Sequence, residues 1–249
     1  MAAPEGRAVP SASNPIGRKA PVTTHARPTR PRTSASTATI ALALLAISAT
    51  LIGCARVEAP LSGRTSTETR EPGSFTAVSV ADAIQLHVAI GSPASVSVTA
   101  DLSVLPFVIT DVHAGELVVA IDGANVASNG VRVDIVVPAL AGVSATSSAE
   151  ATVDDLAVDG FAIQTASSAD VRVTGTVAAL RLRASSSSQI DASDATIGTA
   201  QVELGSAAHA RVHASDLIEG SVSESAELVV VGQPQVQVAV STSGRIIRR

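Results

Sequence analysis

Six polar residues recur through the C-terminal half of this 249-residue chain at nearly constant spacing: Glu150, Asp170, Gln189, His209, Glu227 and Arg245. The intervals are 20, 19, 20, 18 and 18 residues. If successive repeats stack, Glu150 and Asp170 become neighbours, and paired carboxylates are the equipment of glycosidic-bond cleavage. Arg172, Arg181 or Arg183 would then have to converge on them in one cleft. The competing reading is a solvated polar column, because the same position continues through Gln189, His209 and Arg245. The aromatic content favours the column. Phe75, Phe107 and Phe161 are the only aromatic residues, so little is present to stack on a sugar ring.

Other chemistry is poorly supported. His209 and His213 would share a metal on a helix, but in a strand they lie about 13 Å apart. His87 and His113 read as surface or turn residues. The Gly-Gly-x-Gly-x-Asp calcium repeat of some β-helices, a nucleophile elbow and a Gly-rich phosphate loop are all absent. No catalytic residue, metal or cofactor is assigned.

The one cysteine carries a different chemistry. Residues 40–52 form an apolar run preceded by Arg7, Arg18, Lys19, Arg27, Arg30 and Arg32 against the single acid Glu5. A basic region, a short apolar core and a small residue before the cut describe an export signal; spanning a bilayer takes roughly 20 apolar residues. Leu51-Ile52-Gly53-Cys54 closes the run in the manner of a bacterial lipobox, with Cys54 as the acylated first residue of the exported protein. An uncleaved anchor with an incidental thiol is the competing reading. The expected domains are a signal peptide at 1–53, a lipidated cysteine and flexible tether at 54–73, and a folded unit at 74–249.

From Cys54 onward there are eleven arginines against twenty-one acids, a formal charge near −10. Nucleic acids and anionic lipid surfaces need a basic face, so neither is an expected partner beyond the lipid anchor itself. A lone cysteine excludes an internal disulfide, leaving packing as the source of stability.

The elements that must position the polar column are read from periodicity. Short apolar segments keep step with it: Val143, Ile163, Leu182, Val202 and Val238 lie seven residues before each column member, and only Gly220 interrupts them. Small-residue corners precede each column position, as in Ser147-Ser148-Ala149 and Ser167-Ser168-Ala169. A fixed period with β-prone segments and small corners indicates an all-β parallel β-helix of about six turns, 18–20 residues each. Stacked about 4.8 Å apart, six turns give a rod of roughly 29 Å. Corner hydroxyls are expected to bond the exposed turn backbone. Between Phe75 and Ile121 strict alternation suggests an N-terminal cap of two β-hairpins. One joins Ile84–Ile90 to Val96–Val98, the other Val108–Val112 to Leu117–Ile121. A strand from Val131 to Val137 follows, and order is expected to begin near Phe75.

The order of these parts resembles the head GIN domain family. The resemblance rests on Phe75 with Val78 and Val80, on Gly115-Glu116-Leu117-Val118-Val119, on the recurrent corners, and on Gly232-Gln233-Pro234 and Ser243-Gly244. It covers about residues 74–247. It implies an envelope protein, frequently a lipoprotein, with a β-helical body and no established activity or cofactor. Family corners usually read Ser-Gly-Ala-Ser, whereas Ser148, Ser168, Ser187, Ala207 and Ser225 stand here in place of the glycine, which alone adopts positive φ freely. The expected function is a non-catalytic adhesion or scaffolding role at the envelope. Cell-wall glycan, an envelope protein or a second copy of the chain are the expected partners. The alternatives are a polysaccharide-modifying enzyme and a self-assembling structural rod.

Overall fold

The structure, a computed structural model, describes residues 61–123 and 130–249. The leader and Leu51, Ile52, Gly53 and Cys54 lie outside the described residues.

Fifteen strands form one continuous sheet that winds into a solenoid. The coil is set by four long strands, β9 (Glu150–Thr165), β10 (Asp170–Ala184), β11 (Gln189–Leu204) and β12 (His209–Val222), paired in parallel. Each contributes two sides. Residues 209–213 of β12 pair with β13 (Glu227–Val231), while residues 217–222 pair with β14 (Gln235–Val240). At the other end, β9 pairs over 150–154 with β3 (Gln85–Ile90) and over 162–165 with β8 (Gly142–Ala145). The side that runs through residues 209–213 of β12 and β13 is side one and ends in β15 (Arg245–Arg248). The side that runs through residues 217–222 of β12 is side two and ends in β14. The six expected corners enclose five complete turns of the expected parallel β-helix.

Alternation decides which residues fill the rod. Val143, Ile163, Leu182 and Val202 are buried and in direct register, as expected, and Val78 and Leu117 extend their column. A second interior column mixes large and small residues, Leu86, Ala151, Val171, Ile190, Ala210 and Leu228. Interdigitation of unequal neighbours is how a stack this narrow reaches interior packing density. The apparent gap at Gly220 has a backbone cause. Its φ is +129°, and a Cβ there would lie 1.9 Å from the Val202 carbonyl oxygen of the turn below. Gly175 is alike, with φ +109° and a Cβ position 2.2 Å from Leu156 O.

The corners are type I′ turns. In each, two successive residues have positive φ, as in Ser147 (55°) and Ser148 (62°), and the next N–H donates across the turn, as Ala149 N–H does to Thr146 O at 3.1 Å. The outer amide of each corner then donates to the corner of the following turn: Ser148 to Ser167 O, Ser168 to Ser186 O, Ser187 to Ser206 O. This ladder answers backbone groups that a bend would otherwise leave unpaired. Serine therefore takes the left-handed conformation at positions where the resemblance implies glycine. The expected hydroxyl bonding is mostly not realised. Ser188 bonds Ser185 O and Thr165 Oγ1, Ser206 bonds Glu224 and Ser223 bonds Leu204 O, whereas the hydroxyls at 148, 168, 187 and 225 make no hydrogen bond to the turn backbone.

A seventh corner lies at Asp82-Ala83, between β2 (Ala77–Val80) and β3, and Ala83 N–H donates to Ser147 O. The solenoid therefore begins before the hairpin region, which is an excursion from it. Of the two expected hairpins, β5 (Val108–His113) and β6 (Glu116–Ile121) pair antiparallel as read, with Val112 opposite Leu117. The other is wrong. β7 (Arg132–Val137) lies between β3 and β4 (Ser95–Asp101), parallel to the first and antiparallel to the second. A 3-10 turn at Leu105–Phe107 completes the cap.

The expected tether also contains structure. Thr65–Arg70 form β1, antiparallel to β4, so order begins before Phe75. Alternation is invisible there because edge strand β1 is polar throughout and fully buries no residue, with only Ser66 and Arg70 half-buried. It is fastened by Asp101, whose carboxylate accepts the N–H groups of Ser62 (3.0 Å), Gly63 (2.8 Å) and Ser103 (2.8 Å) and the hydroxyls of Ser62 and Ser103. Loss of water pushes this carboxyl up, but the bonds from Ser103 and Ser62 outweigh it and hold it far below the usual carboxylate range. Asp101→Asn is expected to release β1, read as faster hydrogen exchange at residues 65–70 with the solenoid amides unchanged.

Candidate functional site

The outward positions of side one form three parallel columns. The first is the predicted one. Glu150, Asp170, Gln189, His209, Glu227 and Arg245 are successive register partners, and the sheet extends them through Gln85, Arg132, Thr99 and Thr67. The second, two residues on, runs Asp134, His87, Thr152, Arg172, Asp191 and Arg211. Asp154, Thr174, Ser193 and His213 follow along the same strands. Ten strands thus share this side, whose second column becomes apolar at Val229 and Ile247.

Charges on this face are paired, within a strand and across turns. Arg132 grips Asp134 through Nε and Nη2, at 3.0 and 2.7 Å. His87 lies between two carboxylates, with Nε2 3.0 Å from Asp154 and Nδ1 3.5 Å from Asp134. Thr174 Oγ1 donates to Asp154 at 3.2 Å. Arg172 reaches Asp194 and Asp191, and Arg245 holds Glu227. The Arg132 bond holds the Asp134 carboxyl below its ordinary range. At Asp191 burial pushes the carboxyl up, but donation from Ser193 N–H (3.0 Å) and Oγ (2.6 Å), with Arg211 and Arg172 nearby, brings it below normal.

Both depressed carboxyls stabilise the fold above their unfolded titration near pH ~4, and that contribution is lost as pH falls through the folded values. Wild type is therefore expected to lose thermal stability progressively as pH falls below about 4. The Asp134→Asn and Asp191→Asn variants should be less stable at pH 7, and their difference from wild type should shrink as pH falls below about 4, as checked by calorimetry from about pH 7 to about pH 2.

Two open depressions interrupt the face. One of about 260 Å³ lies among Gln189, Asp191, His209, Arg211, Glu227 and Val229; the other, of about 190 Å³, lies among Gln85, His87, Arg132, Glu150 and Thr152. The first gathers three members of the predicted column beside an exposed arginine. The three arginines do not meet in one cleft. Arg172 pairs on side one, while Arg181 and Arg183 lie on side two, bonded to Gln201 (3.0 Å) and Glu203 (2.9 Å). His209 and His213 are separate points of β12, and among the described residues no group of three or more His, Asp or Glu is placed to hold a metal. Side two carries its own trough of about 500 Å³, floored by Gly160, Ala162 and Ala179 and rimmed by Arg181, Gln201 and Glu219.

The His87 cluster was missed in the sequence. Its partners lie 47 and 67 residues away, across an excursion whose pairing follows no repeat.

A parallel solenoid with stacked small-residue corners, opened by β2 and capped by an inserted hairpin, agrees with a family match over residues 74–234, described as "Putative auto-transporter adhesin, head GIN domain". The chain belongs to the head GIN domain family. Solved structures agree on the fold. A putative adhesin from Bacteroides fragilis superposes with a TM-score of 0.61 at 14% identity, covering 76% of this chain and 97% of that one. One from Parabacteroides merdae gives 0.51 at 16%, covering 76% and 98%. No curated protein matches the chain. Within the head GIN domain, the family match stops at Pro234, ahead of β14 and β15, whereas the sequence resemblance extends to about residue 247.

Proposed function

We infer that this head GIN domain is an exported envelope protein, held by acylation at Cys54, that binds through the polar face of side one without changing its ligand covalently. The carrying observation is the face itself. Its outward positions carry hydroxyl, carboxylate, amide and guanidinium groups along most of ten strands, giving way to Val229 and Ile247 in the last turns, with shallow depressions in place of a closed cleft. Such a surface suits a ligand recognised by many polar contacts spread over several turns, as a wall glycan or an extended envelope protein would be. The family and both similar structures carry adhesin descriptions, which support a non-catalytic role. Two or more acyl chains at the cysteine anchor a protein stably, whereas one holds it only marginally.

The anchor is tested by mass spectrometry of the protein from its own membranes. An acylated peptide beginning at Cys54, and release into the soluble fraction on Cys54→Ser, is the expected result. An intact leader, or a Cys54→Ser protein that stays with the membrane, would sink this part of the reading.

A further inference from the structure

We propose that the domain forms a two-fold dimer through its last side-two strand, the β14 strands of two copies pairing antiparallel about Val238. This goes beyond the glycan- or protein-binding role of side one and does not depend on it.

The sheet has four outer strands, and they are not alike. β1 carries Glu68 and Arg70, β5 carries Asp111, and β15 carries Arg245 and Arg248. Charges on an outer strand are the usual protection against strand addition. β14, Gln235-Val236-Gln237-Val238-Ala239-Val240, carries none, has no proline, and alternates valine with small or amide residues throughout. Its only strand partner among the described residues is β12, so its other edge presents unpaired N–H and C=O groups. Val236 and Val238 are only partly buried against the core and Val240 is 49% exposed.

The segment is complementary to itself. Antiparallel pairing centred on Val238 sets Val236 against Val240 of the second copy and Val238 against its own equivalent, giving three valine pairs on one face. β-branched pairs of this kind are favourable cross-strand neighbours, and an isologous contact closes as a dimer. The arginines of β15 oppose the same arrangement on side one. An antiparallel β15 pair would set Arg245 against Arg248 of the partner, a like-charge contact. Association is therefore confined to side two. A contact this small falls in the weak, transient class of interface, and its effect grows when many copies are held at one surface.

The test uses the mature-length protein with Cys54 replaced by serine, studied by sedimentation velocity from about 1 to 500 µM. A reversible monomer–dimer equilibrium is expected, weakened at least tenfold by Val240→Lys and unchanged by Val240→Thr. Val240 is exposed enough for both to fold, which circular dichroism confirms. A cysteine at the symmetry position supplies a second reading. Val238→Cys should give a covalent dimer on mild oxidation, whereas Val240→Cys, whose partner position is 236, should not. A strictly monomeric protein overturns the proposal, as do oligomers growing beyond the dimer or equal cross-linking at both positions. Loss of side-one binding by His209 and Arg211 substitutions, with dimerisation intact, separates this contact from the functional face.

Discussion

Gly220→Ala is expected to be the most damaging small substitution in the molecule, lowering stability by about 3–4 kcal/mol and the melting midpoint by about 10 °C. Two costs combine. A φ of +129° is open to glycine and strained for an L side chain, and the added Cβ would be driven into the Val202 backbone at 1.9 Å. The atom in the way is main chain, already committed to the ladder between β11 and β12, so no side chain can swing aside. Because each turn contacts only its neighbours, the loss should appear first as fraying of the turns after it, seen as faster exchange of amides at 235–249. Gly220→Val, which would complete the apolar column on paper, should be worse still. Gly160→Ala is the control. No atom lies within 4 Å of its added Cβ, and a change within about 0.5 kcal/mol is expected.

The second large effect has the opposite sign. Ser148, Ser168, Ser187, Ala207 and Ser225 all occupy the second left-handed position of a type I′ corner, with φ between 59° and 63°. That conformation costs an L residue roughly 1–2 kcal/mol, and the greater unfolded freedom of glycine returns about 0.4–1 kcal/mol. Each substitution to glycine should therefore stabilise by about 0.5–1 kcal/mol. All five together are expected to raise the midpoint by about 5–10 °C, with some departure from additivity because the corners are in contact. No corner bond to the turn backbone is lost from the four serines. A calorimetric series adding one corner at a time checks the account; a fall in midpoint with successive glycines would show that the hydroxyls hold the corners in a way the geometry omits.

These two expectations mark where the sequence was legible. The period of 18–20 residues places Glu150, Asp170, Gln189, His209, Glu227 and Arg245 in one column, because in a solenoid sequence spacing becomes direct register. The interior column from Val143 to Val202 follows from the same fact. Legibility ends where the period does. Asp82-Ala83 is a corner of the same geometry, but 65 residues separate it from Ser147-Ser148, and without a Ser-Ser-Ala pattern nothing in the spacing connects them. β3 and β4 alternate correctly and lie close in sequence, yet β7 inserts between them; alternation identifies strands and their faces but not their partners. The His87 cluster is the functional consequence, since its two aspartates come from strands whose placement only the fold decides. Gly220 shows the limit of column counting, where a missing side chain reflects a backbone constraint rather than a gap in the core.

The most direct test of the binding account is retention of the purified domain on cell envelope fractions from its own organism, with one variant on each side of the rod. The His209→Ala/Arg211→Ala pair alters the side-one depression, and Arg181→Ala/Glu219→Ala alters the side-two trough. Saturable retention of wild type is expected, reduced about tenfold or more by the side-one pair, the scale of losing charge-assisted bonds. The side-two pair should leave it unchanged. No retention, equal retention of all three proteins, or release of cleaved glycan fragments during incubation would contradict a binding role carried by the polar face.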